Sequence, residues 1–146
     1  MCIRDRITIP LVANGDVTTS ADAKAILEQS GADAVMIGRA HYGAPWVAGR
    51  IAAETTGTDA AGIPGNAEAL ADYVVAHYED MLALYGVESG LRQARKHLGW
   101  YLDRHAPATD TVLRAAIMTG RDPKEVVAAL RQAFAACAEE DMKDAA

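Results

Sequence analysis

Two short runs of successive apolar residues, Leu11–Ala13 and Ala34–Ile37, each end in a glycine-containing polar turn, Asn14–Asp16 and Gly38–Arg39. Runs that are apolar at every position, and do not alternate, predict parallel strands covered on both faces. Pro10 cannot donate a ladder hydrogen bond, so the first strand starts at or just after it. Between the runs, Thr19 with Asp22 three residues on is a capping-box-like start. Ala23, Ile26 and Leu27 form an apolar stripe, and Gly31 stands where a terminating glycine belongs. The pattern predicts a helix over about 19–30. Ala40–Glu54 reads as a second helix with Trp46, Val47 and Ile51 apolar, and Pro45 fits the first turn of its main body. Residues 55–65 hold three glycines and one proline and read as a linker.

C-terminal of the linker the pattern turns wholly helical. Asn66–Tyr85 carries Leu70, Tyr73, Val74, His77, Met81 and Leu84 at helical spacing. Glu88–His105 carries Leu91, Ala94, Leu98, Tyr101 and Leu102. Trp100 falls opposite that stripe, so it either packs on another domain or meets a ligand. Thr109–Met118 turns Val112, Leu113, Ala116 and Ile117 inward. Asp122, Pro123 and Glu125 form a strong helix start, followed by Val126, Val127, Leu130, Phe134 and Cys137. Residues 66–141 thus predict a four-helix C-terminal domain with short loops, and 142–146 a frayed tail. Two strands alone cannot bury both faces and leave open edges. Residues 7–54 therefore read as the last two βα units of a larger parallel β/α protein.

Composition narrows the classes. Of 146 residues, 51% are apolar, enough for a core. No stretch reaches the roughly 18 consecutive apolar residues of a membrane helix, so no membrane partner is expected. The net charge of −6 argues against an overall basic coat for nucleic acid but leaves room for a local basic patch. Two cysteines, Cys2 and Cys137, exclude a disulfide framework and suggest a reducing, cytoplasmic setting. The first six residues fit nothing that follows and read as a non-native leader, residues 1–6.

The chemistry lies in the two turns and in one helix. Glycine lets the chain turn tightly and lets a ligand approach backbone N–H groups, and a following helix N-terminus favours an anion. Asn14, Gly15, Asp16, Gly38 and Arg39 are therefore a candidate phosphate site; the bland reading is an ordinary pair of βα corners. Arg92, Arg95 and Lys96 share one side of a helix and Arg104 extends it, the densest positive cluster in an acidic chain. The bland reading there is a solvated face. His77 lies on an apolar stripe with no Cys or His at ligand spacing, so a locally bonded core histidine is expected and no metal site. Cys137 reads as a small hydrophobe.

Four segments carry a resemblance: Ile9–Val17 (IPLVANGDV), Gly31–Ala40 (GADAVMIGRA), Pro45–Trp46 and Arg95–Tyr101 (RKHLGWY). Together they closely resemble the C-terminal part of bacterial tRNA-dihydrouridine synthases of the B-type branch. The resemblance covers about residues 7–138, and the last segment is its most specific part. It implies a (β/α)8 TIM barrel carrying FMN, of which residues 7–54 are strands 7 and 8 with their helices, followed by a helical tRNA-binding domain. It implies that Asn14, Gly15 and Asp16 form the first FMN-phosphate turn and Gly38 and Arg39 the second. It also implies that Arg92, Arg95, Lys96 and Arg104 face tRNA phosphates. The implied reaction reduces the 5,6 double bond of uridine in tRNA, with NADPH reducing FMN, in a monomeric parent enzyme. The implied catalytic cysteine lies on an earlier barrel loop. Neither Cys2 nor Cys137 matches it, so no catalytic residue is assigned and this polypeptide is expected to be an inactive fragment. Two other readings stay open: the tail of another phosphate-binding flavin barrel, and a free-standing helical RNA-binding or interaction module with a vestigial βα stub.

Overall fold

The computed structural model describes residues 6–144, with side chains through residue 137. The expected leader falls almost wholly on residues 1–5, outside the described residues. The chain divides into two compact units, residues 1–63 and 64–146, and the division falls inside the glycine-rich stretch 55–65.

The first unit runs β1 (Val12–Asn14), α1 (Ser20–Ser30), β2 (Ala34–Met36), a single 3-10 turn (Arg39–His41) and α2 (Val47–Thr56). The strands pair in parallel, Val12 with Ala34, Ala13 with Val35 and Asn14 with Met36. Asp33 fixes this register from outside the ladder: its carboxylate accepts from the Leu11 N–H at 2.8 Å. Helix α1 starts as the capping box demands. Thr19 accepts from the Asp22 N–H, the Asp22 carboxylate accepts from the Thr19 N–H, and Gly31 ends the helix in the left-handed conformation. The small core is Val17, Ala23, Val47 and Ile51, flanked by Ile26, Val35, Ile37 and Ala40.

As expected of two strands alone, they are not covered on both faces: Val12 is 56% exposed and Met36 49%. Only α1 and α2 supply a layer within this unit, and among the described residues no third strand pairs with either edge. The second helix does not run from Ala40. Gly43 takes a positive φ of 68°, and Pro45 biases Ala44 away from helical geometry. The 3-10 turn therefore stops, and α2 begins only at Val47, with Pro45 ahead of it rather than in its first turn.

The second unit holds α3 (Ala67–Tyr85), α4 (Val87–His105), α5 (Thr111–Thr119) and α6 (Pro123–Asp144) among the described residues. Side chains cap the starts of α3, α5 and α6: Asn66 accepts from Ala69 N–H, Asp110 from Val112 and Leu113 N–H, and Asp122 from Lys124 N–H. Val74, Tyr78, Ala94, Leu98, Tyr101, Leu102, Ile117, Val126, Leu130 and Phe134 are all fully buried. Helix α4 approaches α3 so closely at Gly90 that a Cβ there would lie 2.8 Å from the Leu82 Cα.

Several stripe positions are corrected. On α3 the buried face is Ala71, Val74, Val75, Tyr78 and Met81, and Leu84 is 74% exposed. That helix is apolar over most of its girth, so its period alone does not choose a face. On α5 only Ile117 is buried, and Val112 in its first turn is 78% exposed. The backbone of α6 stays helical to Asp144, past the expected boundary at 141. The alanine-, glutamate- and lysine-rich end carries no glycine or proline to stop it.

Candidate functional site

The first candidate site is built by the two strand-ending turns. Parallel pairing with Asn14 opposite Met36 brings both turns to the same end of the ladder. There Asn14, Asp16, Val17, Thr18, Met36, Gly38, Arg39 and Ala40 line one cavity of about 310 Å³. Asp16 holds a left-handed backbone, φ 44°, unusual for a residue other than glycine. Its carboxylate accepts a hydrogen bond from the Arg39 guanidinium. That hydrogen bond, followed by the Asp16 charge, raises the Arg39 pKa. The space a Cβ would take at Gly38 is open to 4 Å. Nothing within the described chain needs that space, and glycine leaves the local backbone accessible to a ligand.

Of the residues expected in a phosphate site, the structure thus gathers Asn14, Asp16, Gly38 and Arg39 around one cavity. Gly15 does not line it. Its Cβ position would face Ile26 of α1 at 3.4 Å, an ordinary contact distance. The N-terminus of α1 is also corrected as an anion site. The Asp22 carboxylate already accepts from the Thr18 hydroxyl and from the Thr18 and Thr19 N–H groups. Those bonds, the Thr18 hydroxyl first, push its pKa down to about 2. An ionised carboxylate on these amides repels a second anion. The cavity's positive charge therefore comes from Arg39.

A phosphate group fits this cavity at one end only. Arg39 offers a planar pair of donors suited to phosphate oxygens, and the open Gly38 allows close approach. Asp16, paired with Arg39, offsets part of the positive charge that Arg39 offers an anion. The same cavity offers no wall for a flat ring system beyond Met36.

The second candidate site lies in the helical unit. The expected basic face divides. Arg92 and Arg95 line a depression of about 570 Å³ together with Val87, Glu88, Leu91 and Arg121. Arg121 precedes α6, and the sequence reading missed it, because it stands alone in a turn 26 residues after Arg95. Arg92 pairs with Glu88 at 3.2 Å. Among the described residues neither Arg95 nor Arg121 has an ion-pair partner. Lys96 goes elsewhere, its ammonium 4.7 Å from the centroid of Trp100. Arg104, in the last turn of α4, does not line the depression.

Trp100 is half-buried. It packs along its own helix, edge-on to His97 at 5.2 Å and under Lys96. His77 is half-buried and bonds across to α4: its Nδ1 lies 2.9 Å from the Tyr101 hydroxyl. Burial lowers the pKa of both His77 and His97, with His97 adding to the effect on His77. Burial also pushes the Tyr101 hydroxyl pKa up, so it stays a donor. Cys137 is half-buried on α6. Among the described residues no His, Cys, Asp and Glu cluster is arranged to hold a metal ion, and no helix is long and apolar enough to cross a membrane.

Comparison with known proteins supplies the family. The model of the dihydrouridine synthase family (Dus) matches residues 1–139. A probable tRNA-dihydrouridine synthase of Rhizobium leguminosarum bv. phaseoli is 52% identical over 132 residues, which are 90% of this chain and 39% of that protein. Its counterpart in Rhodobacter capsulatus is 46% identical with the same coverage. A tRNA-dihydrouridine synthase B of Pasteurella multocida is 36% identical, again over 90% of this chain and 39% of its own length. The chain spans about 39% of the length of these relatives. The family match runs through both units, and this chain belongs to the dihydrouridine synthase family.

Proposed function

We propose that this chain is the C-terminal portion of a flavin-dependent tRNA-dihydrouridine synthase. The parent enzyme reduces the 5,6 double bond of uridine in tRNA. In this reading residues 7–54 are the last two βα units of an FMN-binding TIM barrel, 55–65 a linker, and 66–141 a four-helix tRNA-binding domain. The parent is a cytoplasmic monomer, and the catalytic cysteine belongs to a part of it outside this chain. The carrying observation is the cavity shared by the two strand-ending turns, on a parallel pair whose apolar faces at Val12 and Met36 are uncovered. A lone two-stranded sheet has no use for such faces, whereas a closed barrel covers them from inside and outside.

Arg39 and the Gly38 backbone would hold the FMN phosphate, with the Asn14 amide beside them. Bound FMN would supply hydride to the uridine, with NADPH as the reductant. Asp16 holds Arg39 at the cavity until a dianionic phosphate replaces the carboxylate, since a dianion attracts a guanidinium more strongly than a single charge. Arg92, Arg95, Lys96 and Arg104 would face RNA phosphates, contacts that orient a tRNA without reading its bases.

The test is flavin retention in the intact parent protein. Arg39→Ala should lower the flavin recovered per protein on purification, whereas Lys24→Ala on the exposed face of α1 should leave it unchanged. Equal flavin content in wild type and Arg39→Ala would overturn the phosphate assignment. A helical unit that binds tRNA as tightly alone as within the parent would favour the RNA-binding-module reading instead.

A further inference from the structure

We propose that Arg92, Arg95 and Arg121 form a clamp for the phosphodiester backbone of RNA, spanning α4 and the turn before α6. The inference rests on the tRNA reading above and changes which residues carry it. Three guanidiniums and one carboxylate line a single depression, a net charge of +2 in a chain whose net charge is −6. Glu88 occupies Arg92, so Arg95 and Arg121 carry the charge available to a ligand. A guanidinium presents paired donors to phosphate oxygens and holds less water than an ammonium. Two of them, from different elements, fix the position of a phosphate better than a row along one helix. The depression has an apolar floor in Leu91, half-buried, and an apolar rim in Val87, 54% exposed. That mixture suits a sugar-phosphate strand laid across it better than a free, fully hydrated phosphate ion.

The geometry also sorts the remaining cations. Lys96 is engaged over Trp100, which sets it to the side of the clamp. Its loss should matter less than the loss of Arg121, the reverse of what helical spacing suggests.

The experiment measures binding of an unmodified tRNA transcript to the intact parent protein over a range of salt concentrations. Arg121→Gln and Arg95→Gln should each weaken binding severalfold and reduce the slope of log affinity against log salt by about 1. Lys96→Gln should weaken binding less than either arginine variant, and Glu88→Gln should tighten binding by freeing Arg92. Flavin content and circular dichroism of each variant check that the protein is intact. If Arg121→Gln binds as wild type while Lys96→Gln or Arg104→Gln weakens binding, the clamp is wrong and the one-helix face is right. If none of the four arginine and lysine variants moves the affinity of a protein that binds tRNA, the basic face as a whole is only solvated surface. If the parent binds no tRNA, the functional reading itself falls. Inorganic phosphate that binds the wild type but not Arg121→Gln, while that variant holds tRNA as tightly as the wild type, would identify a free-phosphate pocket and overturn the RNA assignment.

Discussion

Residues 12–36 and residues 74–130 draw on the same kinds of apolar side chain, yet their fates differ. Val12 and Met36 stand about half exposed, while Val74, Leu98, Leu102 and Leu130 are at most 1% exposed. The helical unit closes its core with its own elements: α3 and α4 meet at Gly90, and α6 lays Val126, Leu130 and Phe134 into the same interior. Among the described residues, the β/α unit covers one side of its sheet with two helices and leaves the other side and both edges open. A helix satisfies its backbone within itself, so four of them can complete a core. A parallel strand needs neighbours on both edges and a layer on both faces. Completeness is thus a property of architecture more than of apolar content.

The two tryptophans, Trp46 in the first unit and Trp100 in the second, let each unit be followed separately. The sharpest way to break the contrast is at Gly90. A Cβ there would fall 2.8 Å from the Leu82 Cα and 2.9 Å from the Met81 carbonyl oxygen, both on α3. Gly90→Val should destabilise the helical unit by about 2–3 kcal/mol. Urea unfolding followed by Trp100 fluorescence in a Trp46→Phe background measures it. An unshifted midpoint would mean that the two helices do not depend on close approach.

A smaller effect is expected from pH. His77 lies beside His97, Asp80 and the Tyr101 hydroxyl, and His97 beside Lys96 and Trp100. Burial holds both imidazoles below the ordinary histidine pKa. The unfolded chain therefore takes up protons first as pH falls, and stability falls with it. The stabilisation is complete above the unfolded value of about 6.5 and declines below it. Unfolding midpoints of the helical unit should drop between about pH 7.5 and about pH 5.5, and His97→Gln should flatten the slope. A slope equal in wild type and variant would remove His97 from the effect.

The smallest effect is expected where the first unit is open. Val12→Thr should change the stability of this chain by no more than about 0.5 kcal/mol, as for other exposed positions. Val74→Thr in the helical core should cost about 1–3 kcal/mol through a buried hydroxyl. In the intact parent, the barrel reading predicts that Val12→Thr becomes costly as well. Equal, negligible cost in both settings would count against a covering layer.

Much of the fold was legible in the sequence because its signals are local. Thr19 with Asp22, Asn66, Asp122 and Gly31 each act on backbone groups within four residues, and each marks the helix end it was expected to mark. The helical period placed α3 to α6 to within a few residues. It did not choose the buried face of α3, because Leu70, Val74, Val75, Tyr78 and Leu84 offer more than one apolar face and only the partners α4 and α6 decide. The phosphate turns were legible as glycine and polar residues after apolar runs. That Arg39 lies against Asp16 and that Asp22 already fills the N-terminus of α1 were not.

Taken by itself, the sequence determined the capped starts of α1, α3 and α6, the parallel strand–helix–strand order and the motifs that mark the family, because these depend on residues a few positions apart. Only the tertiary structure decided which charged groups act together. Arg121 joins Arg92 and Arg95 across 26 or more residues, and Lys96, adjacent in sequence to Arg95, turns to Trp100 instead. Electrostatic partnership depends on distance in space, and chain folding sets that distance independently of separation along the chain.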